Sequence, residues 1–555
     1  MTTGSLHRHD AAMAGHPTVR SEGADAPPDQ GQPPRLVTTQ PIPARGARVD
    51  LVIAGLLGLL ALALRLATLT AQSAWVDEGY SMAAARHTAS FITEFTGRYD
   101  AHPPLHYLIL HLWLGVFGAG VEQGRLLSAL CGVGSVLALY SLARILYDRR
   151  TATCAALLLA VSPVALWFSI EIRMYAMAGM FALLALLCLV SATSQNRWWP
   201  WLTYAACAAA AFYTDYSAIY ILAAGALGAL FMAAARHLAA RWLTSQVLLC
   251  LLVAPGLPLL AHQSGNTAAT AWITAPTLAD VQAVAVNMVS QFTTMPTVVG
   301  LCAGALALLG LVALAGDLGQ PDGRRTALFV LCVTVAPFAL PLLLSAFRPV
   351  FLTQSVVTTT FGLLILFARG AAWLATRFGR WALLVLAPVL LLNAASITTI
   401  AATPINEDWR GAAQYLRQQA TPTDVLIFDP RFLQLPFDLY WHGYGWSNPE
   451  RGYPLDETLA TANPQPLATA GDLSKATTGA HYVWLLVRQG QETVSLPGEI
   501  AADQAGRWLL AHDALAGQKH LQGVSLYRFI GKHQVLDRTG SVGSVGLGET
   551  SGQDG

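Results

Sequence analysis

From Leu51 onward, apolar stretches close to the 20-residue length that crosses a bilayer recur along the chain, and continuous runs of that length select membrane-spanning helices. There are about eleven, at 51–71, 126–146, 152–169, 175–193, 202–214, 216–234, 243–261, 296–316, 326–346, 355–371 and 381–401. The fifth and sixth are short and parted only by Thr214-Asp215-Tyr216, so the count is least fixed there. With 54% hydrophobic and 12% charged residues, the bilayer is the solvent for most of this chain. A net charge of +1 gives no reason to expect nucleic acid as a partner. All seven cysteines lie in apolar runs and read as small core hydrophobes, implying neither a disulfide framework nor a metal cluster.

Residues 1–49 are rich in Pro, Gly, Ala and His without periodicity, the pattern of a disordered cytoplasmic tail, and no apolar signal-peptide core lies near Met1. Arginines at 45, 48, 149, 150, 197, 236, 241, 324, 325, 369, 377 and 380 fall at alternate ends of the spans, which marks that side as cytoplasmic. An odd span number then turns the Asp77–His102 loop and the region after 401 outward. Within 402–535, charge and proline rise and β-rich runs (Val425–Phe428, Tyr482–Val487, Val524–Ile530) alternate with amphipathic stretches such as Trp409–Gln418. The expected architecture is an α-helical polytopic membrane domain over 50–401, a small extracytoplasmic α/β domain over 402–535, and a Gly/Ser-rich tail over 536–555.

Paired carboxylates follow the first span directly, in Trp75-Val76-Asp77-Glu78-Gly79-Tyr80-Ser81. Adjacent residues on a helix point about 100° apart, so Asp77 and Glu78 suit two different jobs, with Gly79 loosening the backbone beside them. His102 precedes two prolines that hold it extended, aimed into Leu105–Phe117, a stretch too short to span and suited to the interface. Glu171 and Arg173 end an apolar run, where an ionisable pair either forms a mutual salt bridge or serves a site. Arg348 is the one basic residue of its outward loop; its planar fork suits a phosphate, and snorkelling to headgroups is the alternative. Arg65 inside the first span costs roughly 2.5–3.5 kcal/mol at mid-bilayer, which places it near the outer end or in a pair within the bundle. Neither Arg65 nor Asp215 receives a catalytic role. Lysines occur only at 475, 519 and 532, no G-x-G-x-x-G follows a strand and no H-E-x-x-H occurs, which argues against nucleotide-binding and zinc-protease readings.

Four motifs in order give the chain a resemblance to the GT-C glycosyltransferases, in the bacterial family 39-like group related to protein O-mannosyltransferases and lipid A aminoarabinose transferases. They are Asp77-Glu78-x-Tyr80-Ser81, His102-Pro103-Pro104-Leu105, Gly124-Arg125-Leu126-Leu127-Ser128 and Glu171-x-Arg173-Met174-Tyr175, with a weaker echo at Glu407-Asp408-Trp409-Arg410. The resemblance implies that Asp77 is the catalytic base, that Glu78 positions acceptor or donor, and that the donor is a sugar on a polyprenyl phosphate presented from the outer leaflet. His102 stands where the aminoarabinose branch has lysine, and contacts lipid phosphate by that analogy. Chemically, a placed carboxylate supplies roughly 10²–10⁴ of rate by taking the acceptor's proton. The leaving phosphate wants a fixed cation, a role that suits Arg348 and Arg173, with Tyr80, Glu171 and Tyr175 in support. Direct displacement inverts the anomeric centre, whereas retention needs a second carboxylate, for which Glu78 stays open. A divalent metal on Asp77 also stays open, as do the sugar and the acceptor, which could be protein, lipid or polysaccharide. Arginine-heavy, alanine-rich usage points to the plasma membrane of a GC-rich bacterium. Trp441, Tyr444 and Trp446 could stack on sugar rings or simply pack. The competing class is a lipid or solute transporter, against which stand the lack of internal repeats and the placing of charges at span ends.

Overall fold

The computed structural model describes residues 44–531, except 99, 195–196, 233–235, 266–272, 422, 430, 442–472, 475–476 and 490–503. Residues 1–43 of the expected tail at 1–49, the tail at 536–555, and Tyr444 and Trp446 lie outside the described residues, while residues 44–49 are not a tail but open the helix Ala44–Thr68. Eight described helices are long and apolar enough to cross a membrane: Gly46–Thr68, Val121–Leu146, Tyr175–Thr193, Leu238–Gly265, Pro296–Leu318, Gly323–Leu344, Thr359–Phe378 and Arg380–Ala402. The other three runs expected to span fold as shorter helices. The run at 152–169 breaks into Arg149–Ala160 and Pro163–Trp167, because Pro163 cannot continue the ladder and Ser162 caps a new start through its Oγ to Ala165 N. The runs at 202–214 and 216–234 become Trp199–Thr214 and Ala218–Met232; Asp215 separates them and its carboxylate accepts from Ser217 N at 2.8 Å.

In chain order, α1 is Ala44–Thr68, α2 Val76–Ala85, α3 Ala89–Arg98, α4 Leu105–Phe117 and α5 Val121–Leu146. Then come α6 (Arg149–Ala160), α7 (Pro163–Trp167), α8 (Tyr175–Ser194), α9 (Trp199–Thr214), α10 (Ala218–Met232), α11 (Arg236–Val253) and α12 (Leu257–Gly265). The bundle core is built of Ala and Leu, including Leu139, Ala143, Leu158, Ala182 and Leu186, and small residues let the helices approach closely. Leu56, Leu59, Leu251, Leu301 and Leu391 face outward, as an acyl environment requires.

Beyond the last apolar helix, α13 (Leu278–Asn287), α14 (Pro296–Leu318), α15 (Pro321–Leu344), α16 (Thr353–Val356), α17 (Thr359–Phe378) and α18 (Ala387–Ala402) having completed the bundle, a four-stranded sheet forms in the order β1-β2-β4-β3. β1 (Val425–Asp429) pairs in parallel with β2 (Val483–Arg488); β4 (Val524–Gly531) runs antiparallel to β2 and to β3 (Asp513–Leu521). β1 is buried throughout, as a parallel strand covered on both faces should be. One face packs on α19 (Trp409–Gln419) and α20 (Gln434–Trp441), the other on α21 (Gln504–His512). Trp441 belongs to that packed core, its ring tilted by 30° against Phe437 with centroids 5.2 Å apart.

Candidate active site

The two adjacent carboxylates sit in the first turn of α2, where the helix dipole favours negative charge. They face different surroundings. Glu78 is fully buried: its Oε1 accepts from Arg125 Nε (2.8 Å) and Ile172 N (3.0 Å), its Oε2 from Arg125 Nη2 (2.7 Å) and Trp75 N (3.3 Å). Arg125 Nη1 also donates to Leu69 O at 2.9 Å and Gln72 O at 2.8 Å. One bidentate pair thus clamps α2, α5, the turn after α1 and the 168–174 loop. Arg125 was given no role by motif reading; the available signal was a lone cation in the opening turn of an apolar span.

Asp77 instead keeps a side chain 37% exposed, with Arg173 Nη2 at 3.6 Å from Oδ2. Arg173 is buried, reaches Ser81 Oγ at 3.3 Å and lies 5.8 Å from the centre of the Tyr175 ring, which packs edge-on against Phe168. The Glu171–Arg173 salt bridge considered from sequence does not form; Arg173 turns to Asp77. Glu171 is buried, and its carboxyl is held well above the usual range, first by burial and then by Glu78. Tyr80 is half-buried, packed between the apolar clusters under the site and under the sheet.

A second arm carries His102. Its Nδ1 lies 2.8 Å from Asp100 Oδ1, and Tyr107 Oη donates to Asp100 Oδ2. Burial alone would raise the Asp100 carboxyl, yet the charge and hydrogen bond of His102, with Arg173 and Tyr107, bring it down to about 2. His106, wholly enclosed on α4, is pushed down to about 3 by burial and by the positive charge of Arg173, and so stays neutral. On α12, Gln263 Nε2 donates to Thr96 O (2.7 Å) and His102 O (2.9 Å), while Tyr216 Oη donates to Gln263 Oε1 (2.6 Å). The next carbonyl, Ser264 O, accepts from Arg348 Nη1 at 2.6 Å. The structure thus draws Asp77, Arg173, Asp100 and His102 into one electrostatic neighbourhood, and ties Arg348 to the end of α12.

For a divalent ion the donor set fits poorly: among the described residues no group of three or more His, Cys, Asp or Glu side chains gathers, and the charged neighbour of Asp77 is a cation.

Apolar helices ending in a buried acid–arginine clamp, with a small α/β unit packed beyond, make this a multi-pass membrane protein with the fold of the GT-C glycosyltransferases. The solved structures it resembles include ArnT from Cupriavidus metallidurans in the apo state, with a TM-score of 0.56 and 16% identity over 87% of this chain and 98% of that one. The same enzyme bound to undecaprenyl phosphate gives 0.57 and 14% over the same shares. Residues 101–258 match the family model described as dolichyl-phosphate-mannose-protein mannosyltransferase, a segment holding His102, Arg125, Glu171 and Arg173 but not Asp77. No curated protein sequence matches the chain at a significant level.

Proposed function

We propose that the protein transfers a sugar from a polyprenyl phosphate to an acceptor hydroxyl, with Asp77 as the base. The observation that carries this reading is the division between the two acids: Glu78 is saturated by Arg125 and backbone N–H groups, while Asp77 alone presents a carboxylate to solvent beside a buried cation. Asp77 takes the acceptor's proton as the acceptor oxygen bonds to the anomeric carbon; the carbon–oxygen bond to phosphate breaks, and the phosphate leaves with the electron pair. Arg173, with His102 in reach of the same field, stabilises that developing charge. Arg348 orders the end of α12 on which the His102 loop rests. Glu78 is too fully engaged to serve as a nucleophile, which favours inversion. The lipid carrier is suggested by the undecaprenyl phosphate bound to ArnT.

The site faces the extracytoplasmic side of a bacterial plasma membrane in this reading. Supporting it, the opposite ends of α1 and α5 carry an arginine cluster: Asp50 takes Arg149 Nε at 2.6 Å and Arg144 Nε at 3.3 Å, and Arg369 beside Tyr147 pairs with Asp317. The 402–535 unit then lies over the site as an extracytoplasmic domain. The test is transfer or release of sugar by purified protein from a panel of polyprenyl-phosphate sugars, with Asp77→Asn alongside and a chelator in each arm. Loss of turnover by roughly 10²–10⁴ in Asp77→Asn supports the reading. Equal turnover removes Asp77 as base, and loss on chelation places a metal in the reaction.

A further inference from the structure

Arg65 stands on α1 at 0% exposure with no carboxylate in contact. Its Nη1 donates to Ala61 O at 3.0 Å and lies 3.5 Å from Ala160 O, but Nε and Nη2, both buried, have no hydrogen-bond partner among the described residues. An isolated guanidinium in an apolar interior is costly unless something compensates its charge. The groups around it do not. Arg65 lines a cavity of about 30 Å³ between α1, α5, α6, α7, α8 and the start of α17, whose walls include Gly132, Ser135, Ser169, Tyr175 and Thr360 and no acidic residue. The hydroxyls of Ser135, Ser169 and Thr360 already donate, to Cys131 O, Ala165 O and Met288 Sδ, so the charged N–H groups facing this space belong to Arg65. Gly132 keeps the space open: a Cβ there would stand 2.5 Å from Arg65 Nε and 2.8 Å from Ser169 Cβ.

We infer that this cavity is a binding site for a small monovalent anion of the halide class, held by Arg65 Nε and Nη2. A space of this size takes one halide or one or two waters and is too small for a phosphate. Net charge chooses between the two fillings: water hydrates the guanidinium but leaves its charge uncompensated, whereas a halide cancels it and joins the helices around it at one point. Arg65 touches neither Asp77 nor Arg173, and the cavity adjoins the candidate site only through Tyr175, whose ring faces Arg173.

Thermal unfolding of the full chain in detergent, at constant ionic strength with chloride replacing gluconate, should raise the melting temperature by ~2 °C or more in the unaltered protein and leave Arg65→Gln unmoved. Should Arg65→Gln fail to fold, crystals of the unaltered protein grown in bromide decide the matter: an anomalous peak beside Arg65 supports the site. The absence of such a peak, or a chloride response that persists in Arg65→Gln, means that water fills the cavity and overturns the inference.

Discussion

At the scale of single residues, the carboxylates divide by what surrounds them. Glu78→Gln removes one half of a buried ion pair and strands Arg125, so unfolding should be easier by about 3–5 kcal/mol, read as a lowered melting temperature in detergent. Asp77→Asn, at a half-open position, should melt as the unaltered protein does while losing turnover. Glu171 offers a pH test. Because its folded carboxyl binds the proton more tightly than the unfolded chain does, its contribution is fully present below the unfolded value near 4.5 and is lost as pH rises through the raised folded value. Glu171→Gln should therefore match the unaltered protein below the unfolded value near 4.5 and become relatively more stable as the pH is raised above it; a constant gap in melting temperature would contradict this. The acid pair and Arg173 are legible in sequence because they fall in short motifs. Arg125 also lies in a motif, but its role was not legible because Glu78 is 47 residues away, and Gln72 was not legible because its partners are remote: Gln72 Nε2 reaches Ile400 O at 2.7 Å and its Oε1 accepts from Ile405 N at 2.8 Å, joining the first loop to the end of the last apolar helix.

At the scale of elements, α2 is fixed by α20 as much as by its own sequence. Gly79 was read as a loosening residue, but it lies inside the helix, and its lack of a side chain admits α20: a Cβ there would stand 2.7 Å from Pro436 N and 2.9 Å from the Leu435 carbonyl carbon. Gly79→Ala should cost about 1–3 kcal/mol and slow transfer by shifting Asp77, whereas Gly300→Ala, with open space around it, should do neither; melting curves and turnover of both variants decide. Periodicity located β1, β2, β4 and α19 well. It missed β3, whose Asp513–Leu521 run has weak β propensity and a register shift between Leu515 and Gly517, and which pairs only because β4 offers a free edge.

At the scale of the whole molecule, charge runs from an arginine-rich end at Asp50, Arg144 and Arg149 to the acidic site at the other. In intact cells an impermeant thiol reagent should label Ser90→Cys above the native-cysteine background, and Arg150→Cys only after the membrane is opened; the reverse pattern would invert the proposed orientation. Span length, the class of solvent and the presence of an acid motif after α1 were determined by sequence alone, because they depend on hydropathy over contiguous residues. Where a run broke was partly legible too, through Pro163 and Asp215. Which acid is buried and which is free, which arginine serves each, and where an unpaired Arg65 finds room depended on segments up to hundreds of residues apart meeting in space. Only the tertiary structure decided these, since burial and pairing are properties of packed neighbours rather than of a residue or its motif.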